Sequence, residues 1–407
     1  MLSLCKALQS VKSPHPGDEV SEGISEDTST MYESGLTQLL SLLNDCDKVS
    51  DESHLAVAHA VITGAGHCGK HYWTSTVSRQ IANDIISRLI DLTNSGSVQQ
   101  LLAGGDKADG SRVLATVLLL IREKLTKEKW KEYPIHKHAL VWCIKHLKHP
   151  NVSPYLDTFL PATLMMLDDY TDYHRILALG LASHIVCNVD STELRWYNRA
   201  DVIYQAIKPL LYGSAPNVSN AVHTCLLHLL PVLDAYHTDI PAKPNKSSEV
   251  FELLINSLHM ESNLAAKKVY AFYVSKYIEL LGIFCVRHMK LLLTVLISCI
   301  EDSYFPETSD TQRYALKSLA TLITHAWPRI PSHKDSILKC LVRVVSDLCT
   351  SSTELPQDKG TLSQLSEVSQ CFKLLQTACP EVEEHYKALM SDCEHAGLIH
   401  CLKCCFS

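Results

Sequence analysis

Gly64-Ala65-Gly66-His67-Cys68-Gly69-Lys70 carries the glycines and the lysine of a phosphate-cradling loop. That loop requires the pattern G-x-x-x-x-G-K-[ST], with the final hydroxyl on magnesium. Gly64 has the right spacing to Gly69-Lys70, but His71 replaces the hydroxyl and no strand precedes it, so nucleotide binding is not expected. Gly105-Asp106-Lys107-Ala108-Asp109-Gly110 has the residue types of a calcium loop. Its acidic residues do not alternate, and counting from Asp106 puts Val117 where the bidentate glutamate belongs. The last segment holds Cys393, His395, His400, Cys401, Cys404 and Cys405. Cys401 and Cys404 have zinc-pair spacing, but a second matched pair is missing. We expect no metal there, and an exposed tail open to oxidation. Arg122–Lys148 holds 8 Lys or Arg against 3 Glu, with His136, His138, His146 and His149 nearby. It could meet phosphate as a basic ridge. The preferred reading is the solvated face of two helices, with Trp130, Ile135, Leu140 and Trp142 buried beneath. With 21 His and 44 carboxylates, some His–Asp pairs must be close by chance, and no G-x-S-x-G nucleophile motif occurs. No catalytic residue, cofactor or metal ligand is therefore assigned.

The elements that would position these residues read as helices. Phe159–Ile185 gives two amphipathic helices joined by an acidic turn. Leu156, Leu160, Leu164 and Leu167 share one face of the first. Asp168, Asp169 and Asp172 favour the turn and the next helix start. Arg175, Ile176, Leu177, Leu181 and Ile185 continue the second helix. Similar pairs recur over 154–186, 200–233, 249–283, 289–327 and 335–380, at the spacing of two-helix repeats. Ser153-Pro154 reads as an N-cap followed by Pro at the first helical position. Gly64–Gly69 and Gly104–Gly110 read as breaks, and Ile240–Pro244, Ile330-Pro331 and Leu355-Pro356 as linkers. No period-two run is long enough for a strand. The expected fold is all-α, a HEAT-like α–α superhelix or solenoid, which is more often a scaffold than an enzyme. The expected layout is an acidic disordered tail over 1–34, the solenoid over 35–385, and the cysteine-rich tail over 386–407.

Composition agrees. The chain has 407 residues, 46% apolar and 20% charged, with a formal charge of −7. That balance argues against a dedicated nucleic-acid binder. The 16 cysteines fall mostly within apolar helical patterns, as at Cys143, Cys187, Cys225, Cys285, Cys299 and Cys340, so they read as reduced core thiols. The start lacks a signal-peptide h-region. The longest apolar runs, Val113–Ile121 and Leu291–Ile300, are about half of the ~20 residues a membrane helix needs.

One segment is more distinctive than any helix pattern: Asn188-Val-Asp-Ser-Thr-Glu-Leu-Arg-Trp-Tyr-Asn-Arg-Ala-Asp-Val-Ile-Tyr-Gln-Ala-Ile207. It resembles the signature of the Tti-two family, named for interaction with the telomere-maintenance factor Tel-two. Family-like pieces follow the same order at Lys129-Trp130-Lys131 with Ile135-His136-Lys137-His138, Leu281-Gly282-Ile283 with Val286-Arg287-His288, and His325-Ala326-Trp327-Pro328-Arg329-Ile330. The resemblance spans about residues 60–345 and omits both ends. It implies a non-enzymatic HEAT-like scaffold that joins Tel-two and Tti-one in the TTT complex. That complex is a cochaperone, working with heat-shock protein 90, for newly made phosphoinositide-kinase-related kinases (PIKKs). These kinases serve DNA-damage signalling and growth control. Cytoplasmic and nuclear placement is the matching expectation, with no membrane partner. Arg195, Trp196, Tyr197, Asn198, Arg199, Trp327 and Arg329 are the candidate partner-binding residues, because aromatics and Arg dominate interface hot spots. For Trp196, Tyr197 and Trp327 the preferred reading is instead packing of one repeat on the next. The residues alone leave two other functions open: a HEAT-type trafficking or transport adaptor, and a basic-ridge nucleic-acid binder.

Overall fold

The computed structural model describes residues 1–12, 26–46, 54–103, 110–213, 215–235, 245–302, 309–350 and 359–392. Among the described residues every regular element is a helix. The calcium-loop candidate at 105–109, the prolines at 240–244 and 355–356, and the Cys/His cluster at 393–405 lie outside them. The chain divides into two compact units, Met1–Pro209 and Leu210–Ser407.

The first unit contains α1 (Leu2–Gln9), α2 (Glu26–Asn44), α3 (His54–His67), α4 (Thr76–Leu92), α5 (Val98–Ala103) and α6 (Gly110–Lys124). It continues with α7 (Pro134–His146), α8 (Leu156–Leu167), α9 (Asp172–Asn188), α10 (Ser191–Trp196) and α11 (Arg199–Ile207). Helix α3 is its hub, packed against α1, α4, α6 and α7. This corrects the expected disorder of 1–34 in two places. Residues 2–9 form a helix because Cys5 and Leu8 bury where α1 packs on α3 and α2, and α2 begins at Glu26.

The glycine-rich break expected at Gly64–Gly69 is also corrected, since Gly64 and Gly66 lie inside α3. A Cβ on Gly66 would stand 2.6 Å from Ile135 Cγ2 and 2.8 Å from the Ile135 carbonyl oxygen. The glycine is there to let α3 and α7 approach, a packing role available only without a side chain.

The α8–α9 pair appears where the sequence places it, with a rotated core face. Leu156, Leu160 and Leu167 are buried with Phe159, Thr163 and Met166, while Leu164 is only half-buried. In α9 the buried set is His174, Ala178, Leu179, Leu181, Ala182, Ile185 and Val186, and Ile176 is exposed. Thr163 escapes a hydrophobic pattern because its hydroxyl donates to the Phe159 carbonyl, 2.8 Å away, which satisfies it inside the core. Ser153-Pro154 forms a short 3-10 turn with no side-chain cap, and α8 starts after it.

The second unit is the more regular. It contains α12 (Pro216–Asp234), α13 (Lys246–Met260), α14 (Leu264–Leu281) and α15 (Met289–Glu301), followed by α16 (Ser309–His325), α17 (Lys334–Thr350), α18 (Lys359–Ala378) and α19 (Val382–Asp392). Helices α12, α14, α16 and α18 neighbour one another in one layer, and α13, α15 and α17 form the other. Antiparallel pairs stacked in two layers are the HEAT-like arrangement. The 38-residue stretch Leu264–Glu301 is long and apolar enough to qualify as a membrane span. Gly282, at φ +54°, interrupts it, and its two helices place Tyr277, Ile278, Leu292 and Leu296 in the core.

Among the described residues all cysteines are free. Cys143, Cys225, Cys285, Cys299 and Cys340 are buried as expected, whereas Cys187 is exposed. Burial pushes the Cys143 thiol up to about 12 and Cys285 to about 11, which keeps both protonated and unreactive.

Candidate interaction surfaces

The distinctive segment 188–207 builds a corner between α9 and α11. Asp190 caps α10, its carboxylate accepting from the Thr192 amide at 2.7 Å. These hydrogen bonds hold its carboxyl below the usual carboxylate range. Leu194 is fully buried and fixes α10 to the body. Asn198 then turns the chain in the left-handed region, at φ +55°. Asparagine tolerates that conformation better than other non-glycine residues. Arg199 opens α11 and ties the corner together. One guanidinium nitrogen donates to Glu193 at 2.9 Å and the other to Asp157 of α8 at 2.8 Å. The same guanidinium stands 4.8 Å from the Tyr197 ring centroid. Asp201 lies in the first turn of α11, where the helix dipole favours negative charge.

Trp196 and Tyr197 do not pack one repeat on the next. They are 77% and 63% exposed. The packing is done by Leu194, Ala200, Ile203 and Tyr204, all buried, which leaves the two rings on the outside of a rigidly braced corner. Asn198 is exposed beside them, and Arg195 is half-buried.

Trp327 in the second unit departs from expectation in the same way. It is 62% exposed at the start of a 3-10 turn, Trp327–His333, with Pro328 and Arg329 exposed next to it. Ala326 and Ile330 are fully buried and carry the packing. The corresponding turn after α14, Gly282–His288, exposes Ile283 and Phe284, with the Arg287 guanidinium 5.8 Å from the Phe284 ring. Sequence reading did not single out Phe284, although it follows a family-like piece directly. Tyr170, exposed in the α8–α9 turn with the Lys131 ammonium 4.6 Å from its ring, was also missed. Exposed aromatics braced by Arg or Lys are the composition of partner-binding surfaces.

The basic run 122–148 is not one solvated face. Lys137 is fully buried, its ammonium 2.9 Å from His174 Nε2 and 5.4 Å from the Trp130 ring centroid. His136 and His138 are buried too. Trp130, Ile135 and Leu140 are buried as expected, and Trp142 is half-buried. Lys131 is spent on Asp169, to which it donates.

Asp169 is the polar centre that spacing could not show. Its carboxylate accepts from Lys131, from the Thr171 hydroxyl at 2.6 Å, and from His174 Nδ1. Its carbonyl accepts from Arg175 Nε at 2.6 Å. Burial alone would raise this carboxyl, but the Lys131, Thr171 and His174 hydrogen bonds outweigh it and hold Asp169 well below the usual range. The order Lys137–His174–Asp169 resembles an acid–base relay. Both Lys137 and His174 are fully buried, and the network is a polar clamp between α7, α9 and the turn that precedes α9.

A family model described as the Tti2 family matches residues 118–307. The chain is 32% identical over 389 residues to TELO2-interacting protein 2 of Homo sapiens, covering 91% of this chain and 75% of that protein. It is 32% identical over 342 residues to the Mus musculus protein of the same name, covering 83% of this chain and 66% of that protein. Among solved structures, Kap121p bound to Nup53p aligns with TM-score 0.55 at 13% identity, over 93% of this chain and 36% of that one. Importin beta aligns with TM-score 0.54 at 10% identity, over 93% of this chain and 44% of that one. At such identities the likeness shows the HEAT-type fold alone. The relatives show more: with 32% identity to a protein of which it spans 75%, the chain belongs to the Tti2 family.

Proposed function

We propose that this chain is a non-catalytic scaffold subunit of a TTT-type cochaperone complex, acting with Tel-two and Tti-one proteins in the cytoplasm and nucleus. Its clients would be PIKKs, reached together with heat-shock protein 90. The observation that carries this reading is the α10–α11 corner, where Trp196 and Tyr197 stand exposed on a frame fixed by Arg199, Glu193 and Asp157. The Tyr197 ring loses little conformational entropy on binding, because the Arg199 guanidinium 4.8 Å from its centroid already orders it. Family membership and the names of the relatives support the partner assignment, and the helical solenoid supports surface presentation as the mechanism.

The test is Trp196→Ala combined with Tyr197→Ala. Hot-spot aromatics are worth roughly 2 kcal/mol or more each, so recovery of Tti-one and Tel-two proteins with the tagged chain should drop at least tenfold. The melting temperature should not move, because neither ring is in the core. Full recovery of both partners with the double variant would remove this corner from the interface.

A further inference from the structure

An open pocket of about 400 Å³ lies among α1, α3, α6 and the start of α7, apart from the corners described above. Its size falls within the range of roughly 300–1,000 Å³ typical of small-molecule sites. Lys6, Lys124, His59 and His136 line it, against one carboxylate, Glu123. Among the described residues neither Lys6 nor Lys124 has a carboxylate at ion-pair distance. The Lys124 ammonium stands 5.0 Å from the ring centroid of Tyr133, which also lines the pocket. The Lys12 ammonium reaches the same ring at 5.5 Å but is paired with Glu132 at 2.6 Å.

The two histidines add an unmet requirement. Gln9 donates its amide to the His59 carbonyl and to Thr63 Oγ1, at 2.7 and 2.8 Å. Its Oε1 is therefore the acceptor for His59 Nδ1, at 2.8 Å, and the ring proton sits on that nitrogen. His59 Nε2 is left with no partner, and so is His136 Nδ1. The two residues are only 6% and 4% exposed. Buried polar atoms are seldom left unsatisfied without a reason. Burial first, and then the Lys6 charge, holds His59 below its ordinary value. Burial, Lys124 and His59 together push His136 down to about 4. Both rings are thus neutral in a pocket whose field is already positive.

We propose that this pocket binds a small phosphate-bearing anion, with Lys6 and Lys124 supplying fixed charge and His59 and His136 becoming hydrogen-bond donors by taking up protons as it binds. Ionised phosphate oxygens accept and do not donate, which matches a wall of ammonium and imidazolium donors. The two ammonium groups oppose a metal cation in the same place. The sign of the pH effect follows. An anion favours the charged form of each imidazole, so binding tightens as pH falls.

Calorimetric titration of the full chain with pyrophosphate, in two buffers of different ionisation enthalpy, tests this. Saturable binding is expected, with net proton uptake when sulfate replaces pyrophosphate. Lys6→Ala and Lys124→Ala should each weaken it about tenfold, the scale of a lost charge-assisted hydrogen bond, with unliganded melting unchanged. Sulfate, a dianion that does not titrate near neutral pH, separates protein from ligand titration. Its affinity should rise towards pH 6, and His59→Gln with His136→Gln should abolish that rise. Co-sedimentation with phosphatidic-acid vesicles distinguishes a lipid headgroup from a soluble phosphate: loss of vesicle binding in the same lysine variants assigns the former, and no vesicle binding assigns the latter. Absent pyrophosphate binding, binding indifferent to both lysine variants, or sulfate binding without proton uptake would each overturn the proposal.

Discussion

Asp169 shows how much one side chain can hold. It gathers Lys131 and Thr171 from flanking segments and His174 from α9, which itself faces the buried Lys137. Removing one partner of such a network leaves buried charge without compensation, at a cost of roughly 3–5 kcal/mol. Asp169→Ala should therefore lower unfolding free energy by that order in urea denaturation, and Asp168→Ala, next to it but exposed, by under about 0.5 kcal/mol. Equal effects would show that the network is not what holds this turn. The buried histidines set a separate pH limit. His67 and His136 are pushed down to about 4 and His223 to about 3, burial being the leading cause in each. An unfolded histidine titrates near 6.5, so below that pH the unfolded state binds more protons than the folded one. Stability is then flat above 6.5 and falls with pH towards about 4, by roughly 1.4 kcal/mol per unit for each such residue. Melting temperatures between pH 7.5 and 5 should show a plateau and then a steep fall; no fall would mean these rings are solvated. None of this was legible in the chain. Asp169 read as a turn residue because its partner Lys131 is 38 positions away, and Lys137 read as solvated because a charge in a basic run normally is.

Helix identity was far more legible, because a period of 3.6 survives over long segments, and the pairs 249–283 and 289–327 match α13–α14 and α15–α16 closely. What periodicity misjudged was which way a face points. Leu164 and Ile176 fit the apolar spacing, yet a self-satisfied threonine and a clamped histidine occupy the core instead. Glycine was misjudged for a related reason: in sequence it signals a break, while close helix approach uses the same residue inside a helix. Two substitutions separate these roles. Gly66→Ala puts a methyl group against Ile135 backbone and should destabilise by about 1–3 kcal/mol through overpacking. Gly180→Ala, in α9 with nothing within 4 Å of its Cβ, should stabilise by about 0.5–1 kcal/mol, the ordinary helix preference for Ala. Opposite signs in thermal melts are the expected result. If both substitutions stabilise, α3 and α7 are not as close as described.

At the scale of the whole molecule, the sequence pieces that resemble the family are largely the turns that expose aromatics. Trp196 and Tyr197 belong to one such piece and Trp327 to another, and Phe284 directly follows a third. The resemblance was legible there, but exposure was not, because an aromatic flanked by buried aliphatics reads as core until the fold turns it outward. Stacked repeats with braced exposed corners suit a scaffold, which acts by holding other proteins near one another. PIKKs are long helical-repeat proteins, and long chains expose apolar surface while they fold. A scaffold that keeps chaperone machinery beside them raises its effective concentration during that interval. On the proposed cochaperone role, rapid degron depletion of this chain should lower several PIKKs together while their messenger RNA stays constant. Subunits that bind only the native state stabilise one another by mass action, so Tti-one and Tel-two levels should fall as well. Pulse-labelling distinguishes maturation from turnover: newly made kinase should be lost within the chase, whereas kinase made before depletion should persist. Rescue with the Trp196→Ala, Tyr197→Ala double variant should fail if the corner is the docking surface. If newly made PIKKs mature at normal yield after depletion, the cochaperone role is wrong and a trafficking adaptor becomes the better reading of the same solenoid.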